Sequence, residues 1–119
     1  MKSTIRGIEP VLSSADIKRD IEWLEKHIGF KYAFGDAMYA GVKREEQYIH
    51  LQWHKGDASD PITPSTIKIF VHDIDPYIEE FIERNTITAD KVRRNTPWGT
   101  HEFGFYDLNK NAIFIVQDA

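Results

Sequence analysis

Few side chains of this 119-residue sequence have the type and spacing expected of catalytic residues or metal ligands. The chain has no cysteine, so it has no thiol nucleophile, disulfide framework or cysteine zinc finger. We find no Ser-His-Asp spacing, Walker loop or glycine-rich dinucleotide motif. Asp36, Asp57 and Asp60 stand in breaker-rich stretches, where such residues usually form turns and do not act as acids or bases. The polar residues that deserve a functional interpretation are Glu9 and His50, and each also has a structural one. Glu9 lies either at a solvated strand edge or in a pocket, and His50 is either a hydrogen-bonded strand residue or a pocket residue.

The chain positions these residues within two similar halves, which indicates an internal duplication. Residues 16–24 and 73–81 both begin with an Asp suited to a helix N-cap and continue with apolar residues at helical spacing. Between the halves, residues 56–64 are rich in Gly, Asp, Ser and Pro, which predicts a linker.

Runs of alternating apolar residues predict strands around each helix. In the first half they cover 8–12, 32–34, 39–42 and 48–53, and in the second half 67–71, 87–92, 102–106 and 112–116. The predicted fold is therefore α+β, a single domain over residues 1–119. It consists of two βαβββ modules, 1–55 and 65–119, joined by the linker 56–64.

Composition excludes several functional classes. The apolar fraction of 41% and the aromatic fraction of 13% are those of a folded globule. A net charge of −4 disfavours a nucleic-acid-binding protein, and the basic cluster 91–94 is interpreted as a solvated edge. No apolar run is long enough to span a bilayer, and the first residues do not resemble a signal peptide. We therefore expect no nucleic-acid or membrane partner and a cytoplasmic location.

Three segments carry a resemblance to a known family. They are 10–30, with Ile28-Gly29-Phe30 at its end; 34–51, with Phe34-Gly35-Asp36 at its start; and 97–111, from Pro97-Trp98-Gly99 to Asn111. In these segments the sequence resembles the vicinal oxygen chelate superfamily, which includes glyoxalase I, extradiol dioxygenases and the bleomycin resistance proteins. It is most similar to the bleomycin resistance group.

The resemblance implies a fold of paired βαβββ modules whose curved mixed sheets wrap a cleft. It also implies a homodimer that holds ligands in grooves between the two chains and sequesters the drug without altering it. Bleomycin-type drugs combine a planar bithiazole with a positively charged tail, so we expect the ligand to be a planar cationic small molecule, in particular a bleomycin-type antibiotic.

The enzymes of this superfamily bind a divalent metal ion, and the resemblance places their ligand positions on four residues of this chain. These residues are Glu9, His50, Thr66 and Phe114. A phenylalanine cannot bind a metal, and a neutral threonine hydroxyl is a poor ligand. Two protein ligands rarely hold a catalytic ion, so we expect no metal, no cofactor and no catalytic residue. The alternative is a metal-dependent lyase or dioxygenase with displaced ligands.

Without a metal, the aromatic residues become the candidates for ligand binding. Aromatic faces stack on planar heterocycles and attract cations. Trp98 is the best groove candidate because a Trp between Pro and Gly in a turn is poorly placed for a central core. For Phe34, Phe103 and Phe105 the core and the groove remain equally open. The expected ligand-binding residues are Trp98, Trp53, Phe34, Tyr39, His50, Phe103 and Glu9.

Overall fold

The computed structural model describes all of residues 1–119 and contains seven strands and two α-helices. In chain order the elements are β1 (Val11–Ser14), α1 (Ile17–Ile28), β2 (Lys31–Gly35), β3 (Tyr39–Arg44), β4 (Gln47–Trp53), β5 (Thr66–Phe70), α2 (Asp75–Glu83), β6 (Thr100–Tyr106) and β7 (Ala112–Asp118). A short 3₁₀ turn, Ala89–Lys91, lies between α2 and β6. Neither α-helix has the length and apolar character needed to cross a membrane.

The strands form two separate mixed sheets with corresponding connections. The first sheet has the order β1-β4-β3-β2, and the second has the order β5-β7-β6. In each sheet the strand before the helix runs parallel to the last strand of its half, and the remaining pairs are antiparallel. This correspondence confirms the predicted α+β fold of two related halves.

Only one of the two helices begins at its predicted N-cap residue. Asp16 is the N-cap of α1, and its side chain accepts a hydrogen bond from the backbone N–H of Arg19 at 3.1 Å. Gly29 ends α1 with a φ of 70°, a conformation in which glycine carries no steric penalty. The predicted N-cap at Asp73 is wrong, because α2 begins at Asp75 and Asp73 instead closes a short turn onto the Asp75 N–H.

The second half departs from the prediction in one strand. Residues 87–92 do not form a strand, so the second sheet has three strands where the first has four. Ile87 and Val92 both pack against the core, yet they are five residues apart. An odd spacing places two strand residues on opposite faces, whereas the 3₁₀ turn between them lets both point inward. Only an isolated bridge between Arg93 and Glu102 extends the sheet on this side.

The first strand also starts later than predicted. Strand β1 covers Val11–Ser14, whereas the sequence predicted 8–12. Ile8 lies in the segment before β1 and is almost fully exposed, so its apolar side chain does not contribute to the sheet.

Both sheets turn one face toward a single core that they share with the two helices. The core contains Leu12, Val42 and Leu51 from the first sheet and Phe103, Ile113 and Ile115 from the second, together with Leu24, Ile28 and Phe81 from the helices. Because side chains alternate along a strand, the other face of each sheet must point away from this core. We call these surfaces the first outer face and the second outer face.

Polar contacts join the two halves at both ends of α1. At its C-terminal end, the carbonyl oxygens of residues 25–28 accept hydrogen bonds from Arg44, Arg84 and Thr86. Glu80 of α2 accepts from both arginines at 2.7 Å.

At the other end of α1, the loop between β6 and β7 docks onto the first half. The Asn109 side chain donates to Asp20 at 2.7 Å and accepts from the Ala15 N–H at 3.0 Å. The fully buried Asn111 donates to the Ser13 carbonyl at 3.1 Å. These bonds hold the two sheets in a fixed relation, and with them the two outer faces.

Candidate functional site

The first outer face carries an exposed aromatic ring beside a chain of polar contacts. Phe34 of β2 lies across Gly41, and a Cβ at this glycine would stand 2.2 Å from the Phe34 ring. Gly41 is opposite His50 in the neighbouring strand, and the Phe34 ring meets the His50 ring edge-on at 5.2 Å between centroids. The glycine therefore provides the space in which Phe34 lies flat on the sheet.

His50 connects Tyr39 with Glu9 on this face. The Tyr39 hydroxyl and His50 Nδ1 are 2.7 Å apart, and His50 Nε2 lies 2.7 Å from a carboxylate oxygen of Glu9. The second contact has ion-pair distance but not the direction of a good hydrogen bond. The structure thus brings together four of the expected residues, Phe34, Tyr39, His50 and Glu9. Such a cluster can stack on a flat ring and offer a phenol and a carboxylate to polar groups.

The second outer face carries Trp98, whose indole ring is 53% exposed. Its Nε1–H donates to Glu102 Oε1 at 2.7 Å, and the Thr100 hydroxyl donates to the same oxygen at 2.6 Å. On one side of the ring, the Arg93 guanidinium lies 4.9 Å from the ring centroid. The indole is therefore exposed and yet fixed in orientation.

Glu102 is a charged residue in an unusual position, because it is only 3% exposed. Burial alone would raise the pKa of its carboxyl group. The hydrogen bonds from Thr100 and Trp98 and the nearby charges of Lys68 and Arg93 oppose that effect and leave the pKa below its ordinary value. Glu102 is not among the site residues expected from the sequence. Its signal was the strand alternation that places Thr100, Glu102 and Gly104 on one face.

Two of the expected ligand-binding residues lie on the core side instead. Phe103 is 1% exposed and packs against Phe81 with ring centroids 5.4 Å apart. Trp53 packs against the core, and its indole N–H donates to the Ala15 carbonyl at 3.1 Å. Both side chains point inward by strand alternation, so the structure corrects their expected place in a groove.

The four positions to which the sequence resemblance assigns metal ligands do not form a donor set here. Glu9 and His50 contact each other on the first outer face, whereas Thr66 and Phe114 belong to the second sheet. The Phe114 ring covers Gly104, whose added Cβ would lie 2.5 Å from it. No group of three or more His, Cys, Asp or Glu side chains is arranged to hold a metal ion. The residues at these positions therefore do not fit a divalent metal.

Two cavities have the size of a small-molecule site. A cleft of about 890 Å³ separates the segment before β1 and the β3–β4 turn from β5 and the start of α2. A smaller groove of about 630 Å³ lies along the free edge of β6 and includes Arg93, Tyr106 and Phe114. Both volumes lie within the range typical of small-molecule sites.

Comparison with known proteins identifies the fold. No protein-family model matches the sequence, and no curated protein matches it by sequence. Solved structures do match over nearly the whole chain. A bleomycin-binding protein from the bleomycin producer Streptomyces verticillus, in complex with copper(II)-bleomycin, is 24% identical. The alignment covers 99% of this chain and 100% of that one, with a TM-score of 0.76.

Two further structures show the breadth of the match. A second bleomycin-binding protein, in complex with bleomycin, is 17% identical over 97% of this chain and 100% of its own, with a TM-score of 0.76. A glyoxalase-related enzyme from Clostridium phytofermentans is 14% identical over 98% of each chain, with a TM-score of 0.73. Binding proteins and enzymes thus share this architecture. The chain has the fold of the glyoxalase, bleomycin resistance and dioxygenase proteins, as the sequence resemblance predicted.

Proposed function

We propose that this protein is a homodimeric binding protein that sequesters a bleomycin-type small molecule without modifying it. The observation that carries the proposal is that each outer face presents an exposed aromatic ring held in place by its own sheet. These rings are Phe34 over Gly41 and Trp98 bonded to Glu102. Fixed, exposed rings are what stacking on a planar heterocycle requires. The fold shared with two bleomycin-bound proteins supports the choice of ligand class.

The shape of the chain supports a dimer. Its accessible surface is 7812 Å², whereas a monomer of this mass has roughly 6,700 Å². Its radius of gyration is 15.4 Å against about 13.5 Å for a compact domain of this length. Many large apolar side chains are exposed, among them Ile5, Ile8, Phe34, Phe70, Trp98 and Tyr106. Exposed apolar surface of this extent usually marks an interface, and a two-fold pair is the commonest solution.

In the proposed dimer, the first outer face of one copy lies opposite the second outer face of its partner. Since both outer faces point away from the shared core, Phe34 and Trp98 of one chain cannot enclose the same ring. A groove between two copies supplies one ring from each chain. Tyr39, His50 and Glu9 line the Phe34 side and offer polar partners to the rest of the ligand. Trp53 and Phe103 have no part in this proposed site.

Calorimetry with a bleomycin tests the proposal directly. We expect two ligands per dimer, and we expect Trp98→Ala to weaken binding about tenfold or more, because the lost stacking and burial of the ring contribute about 1.4 kcal/mol or more. The fold should remain intact because Trp98 is on the surface. Trp98→Phe serves as the matched control, since it keeps a ring but loses the N–H bond to Glu102. Unfolding of Trp98→Ala with unchanged affinity in the folded fraction would assign the ring to the core and contradict the site.

Two measurements separate this proposal from its alternatives. Sedimentation that shows only monomer at micromolar concentration would remove the groove between chains. The enzyme alternative, a divalent-metal lyase or dioxygenase, predicts a metal held by Glu9, His50 and a further ligand. Elemental analysis that finds one Zn, Mn, Fe or Ni per chain would favour that alternative.

A further inference from the structure

The two sides of the Trp98 indole are chemically different. Arg93 covers one side, with its guanidinium carbon 4.9 Å from the ring centroid. The hydrogen bond from Trp98 Nε1 to Glu102 fixes the ring plane. The residue is 53% exposed, and we take its free face to be the one opposite Arg93.

Arg93 is held beside the indole by its own backbone. Its N–H donates to the Glu102 carbonyl at 2.8 Å, and the Glu102 N–H donates to the Arg93 carbonyl at 2.9 Å. No carboxylate forms an ion pair with Arg93, and its neighbour Arg94 pairs instead with Asp75 at 2.5 Å. The charge of Arg93 is therefore not neutralised by a direct contact.

Arg93 also lines the groove along β6, which is basic. The groove along β6 is lined by Arg93 and Lys91, and no acidic side chain lines it. Lys68 is close enough to Glu102 to influence its titration. Of the carboxylates near the ring, Glu102 uses one oxygen for both Trp98 and Thr100, and Asp118 lies opposite Thr100 in the neighbouring strand.

From this arrangement we infer that Arg93 makes the free face of Trp98 selective for a neutral planar ring over a planar cation. The inference rests on the proposed binding function and refines it. The ligand's flat ring and its positive charge are recognised at separate places, and the charge lies away from Trp98. A bithiazole with a charged tail meets this condition, whereas a compact planar cation does not.

The physical reason lies in the quadrupole of the indole. A cation attracts the electron density of an aromatic face, and Arg93 already makes this contact on one side. A second cation on the opposite face would find that density drawn away and would lie roughly 8 Å from the guanidinium, where like charges repel. Stacking of a neutral ring depends on dispersion and burial and does not meet this repulsion.

Two planar probes of different charge test the inference. Proflavine is a planar cation at neutral pH, and 2,2′-bithiazole is a neutral planar heterocycle. Their dissociation constants are measured by titration for the wild type, Arg93→Gln and Arg94→Gln. The last variant removes the same charge from the adjacent residue, which faces Asp75.

We expect Arg93→Gln to bind proflavine about three- to tenfold more tightly and bithiazole within about twofold of the wild type, the scale of one exposed cation–π contact. Arg94→Gln should leave both constants within about twofold, and Arg93→Lys should keep the wild-type preference. In a Trp98→Ala background, the Arg93→Gln effect on proflavine should disappear.

The outcomes separate the inference from the proposed function. If the wild type binds bleomycin but Arg93→Gln changes neither probe, or changes both equally, the inference is overturned and the proposed function stands. An Arg94→Gln effect as large as that of Arg93→Gln would assign the selectivity to overall charge and also overturn it. Failure of the wild type to bind bleomycin, bithiazole and proflavine alike would overturn both.

Discussion

Replacing Glu80 with Gln tests whether the junction between the two halves holds the fold together. Both carboxylate oxygens of Glu80 accept hydrogen bonds from Arg44 at 2.7 Å, and one of them also accepts from Arg84 at 2.7 Å. The same two arginines donate to carbonyl oxygens at the C-terminal end of α1. Glutamine keeps the shape of the side chain but supplies one acceptor oxygen and no charge. The substitution therefore weakens both ion pairs and loosens the arginines that cap the helix.

The expected cost follows from the burial of the cluster. Exposed ion pairs contribute up to about 1 kcal/mol, and breaking a buried pair costs about 3–5 kcal/mol. The Glu80 side chain is 29% exposed and that of Arg44 is 23% exposed, so we expect about 2 kcal/mol. For a domain of this size that corresponds to a fall in Tm of roughly 6–8 °C.

The same substitution also gives a prediction of how the stability difference between wild type and variant changes with pH. Hydrogen bonds from Arg44 hold the pKa of Glu80 below its ordinary value. Partial burial of the carboxyl group opposes this effect, and the hydrogen bond from Arg84 adds to it. A carboxyl group with a lowered folded-state pKa stabilises the protein above its unfolded pKa of about 4.3. This stabilisation is lost as the pH falls through the folded-state value. The difference in Tm between wild type and Glu80→Gln should therefore be full at pH 7 and shrink on acidification toward pH ~3.

Thermal unfolding followed by circular dichroism measures both effects. Glu79→Gln is the matched control, because it makes the same charge change on the exposed side of α2 and breaks no ion pair. A loss below about 0.5 kcal/mol for Glu80→Gln, or an equal loss for the control, would refute the assignment of the junction to this cluster.

Three further substitutions test other parts of the structure. Asn111→Ala removes the buried amide that bonds to Ser13, Ser65 and Asp107, and should cost about 2–4 kcal/mol in chemical denaturation. A midpoint unchanged by this variant would contradict the docking role of the loop. Gly41→Ala places a methyl group where Phe34 now lies, so bleomycin binding should weaken in calorimetry even if the fold tolerates about 1–3 kcal/mol of strain. Glu102→Ala frees the Trp98 indole and should shift its fluorescence and weaken binding, whereas Glu102→Gln, which can still accept the N–H bond, should do so less. Equal effects of the two Glu102 variants would point to charge and not to orientation.

The duplicated order of elements could be predicted because it depends on local patterns. Asp16, Gly29 and the apolar stripe of α1 specify a helix through interactions within a few residues. The strands of the first half follow the same logic of alternation. The turn marked by Pro97 and Gly99 indicated that Trp98 lies outside the central core, and the ring is exposed; its place in a ligand groove stays a prediction.

Other features depend on contacts that no local pattern contains. Apolar and polar residues alternate in 87–92 well enough to predict a strand. Ile87 and Val92 both pack against the core, however, and the 3₁₀ turn between them allows this. Strand alternation divides the residues of β4 and β6 between two faces, but which face meets the core depends on the packing of both helices. For that reason Trp53 and Phe103 were assigned to a groove, and the buried Glu102 was not recognised as a partner of Trp98.

The docking of the β6–β7 loop has a consequence for how the protein is made. Asp20 and the end of β1 obtain part of their polar contacts from Asn109 and Asn111, which are synthesised after the whole first half. Carbonyl oxygens at the C-terminal end of α1 likewise accept hydrogen bonds from Arg84 and Thr86 of the second half. Without the second half, the first half lacks these contacts, and closing such long-range contacts is slow. Despite its duplicated pattern, the chain is therefore expected to fold as one unit, once the β6–β7 loop is available to dock onto the first half.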